Sequence, residues 1–396
     1  MTATDKNPVC VENSHGRELH RAGWIIIDPF TIIENGYIET SNGFIKGVHR
    51  GTPAEKHIDH GPGVIMPPLV NAHLHLELSA LKNSLPFGKG FRAWVKKLLE
   101  KREALGLEKL VKEAGKAALD LMESGNLYVG DISTLGITGS IIEESGLNGI
   151  CFHEYLGSDI SDIQPFFTGK NDSVSFSIAG HAPHSTSAQL LRMLKKRSGF
   201  AGLPFSIHVA ESDDESLFIH DKRGDWADFL TSRGIDWSSW QIGSKTPVSY
   251  INDMGLLDSL TIAVHLLNAN DRDLEILARS KAKVCVCPRS NLNLHGKLPD
   301  IEKMIQKGIK PALGTDSLAS CKSLNIFDEM AFISNQYQGL DPATIFAMGT
   351  INGAAALGIE QYTGTLSKGK RAKFLYLPVR AKNQNRLFQG IISNER

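Results

Sequence analysis

The chain has 396 residues, 43 Lys+Arg against 43 Asp+Glu, 41% hydrophobic and 22% charged residues, which excludes a mainly disordered protein. A net charge of zero argues against a nucleic-acid partner, which needs a basic excess or stripe. No apolar run of about 18 residues predicts a membrane span, the first twenty residues carry no signal-peptide core, and five scattered cysteines (Cys10, Cys151, Cys285, Cys287, Cys321) point to reduced thiols in the cytoplasm.

Taken in chain order, residues 18–27 and 37–49 are rich in Ile, Val, Thr and aromatics, and Ser41-Asn42-Gly43 predicts a hairpin turn. At residue 64 a buried-strand run begins and continues to His75. Seven further apolar runs follow, at 127–132, 149–154, 174–179, 204–210, 261–266, 282–287 and 311–314. Helical spacing separates them at 108–122, 188–195, 214–230, 247–257, 271–279 and 301–307. Eight strands, most followed by a helix, predict an α/β fold, a (β/α)8 TIM barrel over 64–359. A doubly wound sheet shares the rhythm and is the competing architecture. The tail adds a helix-like segment at 341–357 and strand-like segments at 373–378 and 387–392. Strand character at both ends predicts a small β-sandwich-like domain built from both termini, 1–63 with 360–396. The longest loop is expected at 158–172.

Composition leaves the placement of fourteen histidines unexplained. His73 and His75 end the first buried run, and residues i and i+2 of a strand share a face. Both imidazoles are expected at the C-terminal end of that strand, the functional face of a barrel. Paired neutral imidazoles suit a borderline-soft cation such as zinc, although an isolated His-x-His is also an ordinary polar strand end. His208 ends Phe205-Ser206-Ile207-His208, His265 ends Ile262-Ala263-Val264-His265, and Asp316 follows the last strand. His181 and His184 follow the strand at 174–179. Any one of these could be a helix cap, but four strands placing His or Asp at one end predict a metal site. Glu211 follows His208 and opens Glu211-Ser212-Asp213-Asp214-Glu215, which reads as an acidic helix N-terminus. Cys285 and Cys287, in Val284-Cys285-Val286-Cys287-Pro288, read as a buried barrel strand rather than a soft metal pair.

Asn71-Ala72-His73-Leu74-His75, His208-Val209-Ala210-Glu211, His265, Cys287-Pro288-Arg289-Ser290-Asn291 and Gly314-Thr315-Asp316-Ser317 together resemble the amidohydrolase superfamily, in its cytosine/guanine/adenosine deaminase and chlorohydrolase branch. The resemblance spans nearly the whole chain, including Asn352-Gly353-Ala354-Ala355 and Gly364-Thr365-Leu366. Two departures, Ala372-Lys373 for the family's Ala-Asp and Pro67-Pro68-Leu69 for Pro-Gly-Leu, leave the chemistry untouched.

This resemblance implies a metal-dependent hydrolase acting on carbon–nitrogen bonds. His73, His75, His208 and Asp316 would hold one divalent metal with an open position for water; Zn2+ suits the set, and Fe2+ or Mn2+ also accept these donors. Glu211 would serve as general base and then general acid, His265 would orient the hydroxide, and Asp316 would pass a proton to the departing amine. Two-metal relatives carry a bridging Lys or Glu at the end of the fourth strand. Ile178-Ala179-Gly180-His181 has neither, which implies a single metal. His181 then resembles the branch's substrate-contacting histidine, with His184 as the weaker candidate.

Ser320, four residues after Asp316, resembles a substrate-contacting serine of adenosine-type deaminases, and equally a cap for a helix at 324–330. Arg92 and Trp94, in Phe91-Arg92-Ala93-Trp94-Val95, fall where the family places a substrate loop, and equally suit the first turn of an amphipathic helix. The stretch from Asn71 to Ser79, with Val129-Gly130-Asp131-Ile132-Ser133, is similar to deaminases acting on aminodeoxyfutalosine. An adenine-nucleoside-like substrate that loses its ring amine as ammonia is therefore expected. Deamination of guanine, pterin, cytosine or triazine, cleavage of a cyclic amide or N-acyl bond, and a non-enzymatic metal-binding role are the alternatives. The expected partner is a small molecule, not nucleic acid or membrane, with a homodimer left open.

Overall fold

The computed structural model describes residues 8–13, 15–88, 90–159 and 173–393. The loop expected at 158–172 lies, from 160 onwards, outside the described residues. The first strands are β1 (Val9–Glu12), β2 (Arg17–Asp28), β3 (Thr31–Ser41), β4 (Phe44–Arg50), β5 (Ile58–Asp59) and β6 (Val64–Met66). Ser41 pairs with Phe44, so the β3–β4 hairpin closes on two residues, Asn42 (φ 52°) and Gly43 (φ 80°). Positive φ at both positions is what such a turn demands, and Asn-Gly accepts it.

The run at 64–75 is two strands, not one. Pro67-Pro68 cannot donate to a ladder, so β6 pairs with β2 and β15 (Lys373–Leu377) in the small sheet, while β7 (Leu69–Leu74) opens the barrel. The small sheet has the order β1-β15-β6-β2-β3-β4, with β5 added at β2. It has its own apolar cluster, including Ile25, Ile38, Ile45, Ile65 and Phe374.

The barrel strands continue as β8 (Asn126–Ser133), β9 (Asn148–Tyr155), β10 (Val174–Gly180), β11 (Phe205–Val209), β12 (Thr261–His265), β13 (Lys283–Val286) and β14 (Ala312–Leu313). Each is parallel to the next in sequence order. β8, β11 and β12 are buried along their whole length, as parallel strands covered by helices must be. Closure runs through residues 73–75 and 315–316. Thr315 N and Asp316 N donate to His73 O at 2.9 and 3.2 Å, and His75 N donates to Asp316 O at 3.0 Å. The TIM-barrel architecture follows, and the doubly wound alternative falls away.

The helix expected at 214–230 divides at left-handed Lys222 and Gly224 into Asp213–Asp221 and Asp225–Ser232. The segment at 341–357 divides around Gly349 and Thr350. Residues 91–95 begin a helix, Phe91–Leu105, rather than a loop. The strand expected at 387–392 is wrong: Gln384–Ile392 is a helix. Asn383 caps it by accepting from Arg386 N, and Leu387, Phe388, Ile391 and Ile392 fall on one helical face. That face packs on the helices Ile326–Gln336 and Pro342–Met348, with Phe388 against Phe346. Short apolar runs of this length suit either element, and the cap decides it. No helix among the described residues is long and apolar enough to cross a membrane.

Candidate metal and active site

At the C-terminal end of the barrel strands the backbone turns abruptly. Ala210, His265, Leu266 and Asp316 all have positive φ, an arrangement that costs non-glycine residues energy and gathers at functional sites. These turns swing side chains from separate strands towards one point. His73 sits on β7, His75 one residue beyond it, His208 on β11 and His265 at the end of β12. His73 Nε2 and His208 Nε2 approach to 3.2 Å, and His75 Nε2 lies 3.6 Å from Asp316 Oδ1. Two overlapping groups, His73–His75–Asp316 and His73–His208–His265, each bring their ligand atoms within 4.8 Å of one another.

The far side of Asp316, His208 and His265 is held by hydrogen bonds, whereas His73 Nδ1 has no partner among the described residues. Asp316 Oδ2 accepts from Ser290 Oγ at 2.5 Å and Ser320 Oγ at 2.8 Å, which turns Oδ1 towards His75. His208 Nδ1 donates to His181 O at 2.8 Å, leaving the Nε2 lone pair for the site. His265 Nδ1 meets Asn291 Nδ2 at 3.2 Å. Burial, reinforced by the neighbouring imidazoles, holds His73 and His208 well below the usual histidine pKa. Neutral imidazoles and one carboxylate aimed at a common point are the donor set of a divalent cation, so the residues fit such an ion.

Glu211 follows β11 and faces the same space. Its backbone is gripped by a residue the sequence reading did not single out. Glu215, fully buried, accepts from Ala210 N at 3.0 Å and Glu211 N at 2.7 Å. Glu211 Oε1 lies 3.7 Å from His265 Nε2 and 3.4 Å from His295 Nε2. Burial alone would raise this carboxyl, but His265, His295 and His208 hold it well below the ordinary carboxylate range. His295 is a second residue the sequence did not reveal; it ends the helix Pro288–His295, and nothing in its local pattern points to Glu211.

The other candidates are placed as follows. His181 lines the cavity, with Nδ1 at 2.6 Å from Ser185 Oγ. Burial, then His184, lowers its pKa to about 3. His184 is buried against Trp226, ring centroids 4.3 Å apart, and is not among the cavity-lining residues. Ser320 does not line the cavity either; it is buried beneath Asp316 and bonds its Oδ2. Nor does it cap the following helix, which starts at Ile326 under Asn325. Trp94 lines the cavity, whereas Arg92 points outward to Asp225 at 3.3 Å. Cys285 and Cys287 are both buried at the β13 end.

The cavity has a volume of about 190 Å³. One wall is a single face of the helix Phe91–Leu105: Phe91, Trp94, Val95, Leu98, Leu99 and Arg102, at helical spacing. Leu78, Leu156, Trp226 and Phe229 complete an apolar lining. Towards β8 and β9 lie three acids to which the sequence assigned no role; Glu77 and Glu154 line the cavity, and Asp131 is buried behind them. Asp131 accepts from Leu76 N at 2.8 Å and from Thr138 Oγ1, and burial pushes its pKa up to about 8. Glu77 Oε2 accepts from Ser133 Oγ and Leu135 N. Glu154, at the end of β9, is raised by burial to about 7. It ends a strand run visible in the sequence, on the third barrel strand rather than the fourth.

Residues 159–394 match the sequence family described as the Amidohydrolase family. The chain is 27% identical to the 5-methylthioadenosine/S-adenosylhomocysteine deaminase of Moorella thermoacetica, over 84% of this chain and 78% of that one. It is also 27% identical to the 5'-deoxyadenosine deaminase of Methanosphaera stadtmanae, over 92% of this chain and 86% of that one. Among solved structures it resembles Helicobacter pylori aminofutalosine deaminase in complex with methylthio-coformycin. The TM-score there is 0.83 at 22% identity, covering 95% of this chain and 96% of that one, a likeness of fold.

Proposed function

Because the chain belongs to the amidohydrolase family, we propose that it is a metal-dependent aminohydrolase that replaces the ring amine of an adenine nucleoside by oxygen and releases ammonia. The observation that carries this reading is the placement of Glu211: a buried carboxylate, kept ionised by two imidazoles on Oε1, that opens on the same cavity as the His73–Asp316 cluster. His73, His75, His208 and Asp316 would hold one divalent cation, with zinc suited to three imidazoles and a carboxylate. When bound, such an ion supplies Lewis acidity, lowering the pKa of water from about 15.7 towards about 7.

The chain's own side chains do the rest. Glu211 takes a proton from the attacking water and returns it to the ring nitrogen beside the reacting carbon. His265, on the same side as Glu211 Oε1, orients that water through Nε2. As the C–O bond forms and the C–N bond breaks, the second water proton leaves with the amine as ammonia. Asp316 hands it on through Oδ1, the oxygen that Ser290 and Ser320 leave free. Phe91, Trp94 and Trp226 cover the ring face and exclude bulk water, which strengthens every charge interaction inside.

Substrate choice is supported by the lining. The relatives are named for adenosine derivatives altered at the 5' position, and Val95, Leu98, Leu99 and Leu156 give this cavity an apolar wall suited to a 5'-deoxy or thioether group. The test is a panel of 5'-deoxyadenosine, 5'-methylthioadenosine and S-adenosylhomocysteine, with guanine, pterin, cytosine and triazine controls, followed by ammonia release and ultraviolet absorbance on metal-analysed protein. Turnover of the adenine nucleosides with stoichiometric ammonia is expected. A cyclic amide or N-acyl compound giving a new carboxylate without ammonia, with no nucleoside turned over, would overturn the reading.

A further inference from the structure

Glu154 is buried, lines the cavity, and has one oxygen committed: Oε2 accepts from Thr134 Oγ1 at 2.7 Å. Oε1 has no hydrogen-bond partner among the described residues. Leaving a buried carboxylate oxygen without a donor is costly, so native structures almost always supply one. The nearest ring nitrogen, His208 Nδ1, is 3.8 Å away and already donates to His181 O at 2.8 Å. That same bond argues against a second cation. Glu154, His181 and His208 bring ligand atoms within 4.8 Å, but His208 Nδ1 carries the proton it gives to a carbonyl oxygen and has no lone pair to offer.

We infer that Glu154 selects the sugar, its Oε1 accepting a hydrogen bond from a 2' or 3' hydroxyl of the bound nucleoside. This deepens, and rests on, the reading of the substrate as an adenine nucleoside. Such a molecule carries hydrogen-bond donors in only two places, the exocyclic amine and the sugar hydroxyls. The amine sits on the reacting carbon, close to Glu211 and the His73–Asp316 cluster. Glu154, a cavity-lining residue with a second unclaimed acceptor, is therefore assigned to the sugar. The 5' end is the poorer match, because the helix wall of Val95, Leu98 and Leu99 gives a hydroxyl there nothing to bond. Arg102, on the last turn of that wall and 3.7 Å from Glu77 Oε1, lies at the same polar end.

The experiment compares 5'-deoxyadenosine with 2',3',5'-trideoxyadenosine on the zinc-loaded full chain, for the wild type, Glu154→Leu and Glu154→Gln. The wild type is expected to prefer the diol by about 10- to 100-fold in kcat/KM, the range of one hydrogen bond to a charged group. Glu154→Leu should raise KM for 5'-deoxyadenosine by a similar factor, leave the trideoxy compound unchanged, and retain wild-type metal content. Glu154→Gln, which keeps a carbonyl acceptor, should recover part of the loss. Equal loss on both substrates, or no wild-type preference for the diol, overturns the inference; so does metal lost from Glu154→Leu, which would make Glu154 a ligand. The wild-type comparison needs no variant to fold. Failure of the wild type on every adenine compound, free adenine included, is the separate result that removes the underlying reading.

Discussion

Where His73, His75, His208 and Asp316 meet, the reverse side of three groups that face the centre is tied to the protein: Asp316 Oδ2 to two serines, His208 Nδ1 to a carbonyl, His265 Nδ1 to an asparagine, while His73 Nδ1 has no partner among the described residues. Under the helix Phe91–Leu105 the same cavity is apolar, and Glu154 Oε1, Trp94 Nε1 and Trp226 Nε1 have no partner among the described residues. At one end most groups are held before anything binds. The other leaves hydrogen-bonding capacity for whatever enters. This is the division expected if chemistry is invariant and substrate choice adjustable: pre-set groups lower the barrier, while wall residues decide which molecule arrives.

Substitutions can break that contrast, the largest effects falling at the fixed end. His208→Ala should remove metal and turnover together, read by elemental analysis beside ammonia release; full metal stoichiometry in the variant would detach His208 from the ion. Glu211→Gln should keep the metal but slow kcat by about 100- to 10,000-fold, the range of positioned proton transfer, and near-normal rates would exclude it as the proton carrier. Ser320→Ala should weaken metal affinity by about 10- to 100-fold, since partners behind a ligand orient it; a competition titration with a chelator measures this. At the open end, Trp94→Ala should raise KM by about 2- to 10-fold with kcat little changed, on the scale of one aromatic contact. A kcat loss there as large as that of Glu211→Gln would erase the distinction between the two ends.

What sequence made legible follows from periodicity. Strands repeat every two residues, so His73 and His75 had to share a face, and strand-end positions of His208, His265 and Asp316 had to gather at one rim. The hairpin at Asn42-Gly43 was legible because few residue pairs tolerate that backbone. What stayed hidden depends on contacts distant in the chain. Glu215 looks like any acid in a first helical turn, and only the positive φ of Ala210 brings two amides onto it. Ser320 reads as a substrate contact or a cap, but the turn at Asp316 places it under that carboxylate. Glu154 ends a run that was read as a strand; its free oxygen becomes visible only once Thr134 and His208 are in place around it. The tail helix is not legible in sequence because Leu387, Phe388, Ile391 and Ile392 are too few to fix a period.

The measurement closest to the central claim is anomalous diffraction at the zinc edge from crystals of the full chain grown with zinc. One strong peak between His73, His75, His208 and Asp316, with none beside Glu154, is the result expected. Density elsewhere, or those four side chains ordered around a site that takes up no ion, would contradict the account.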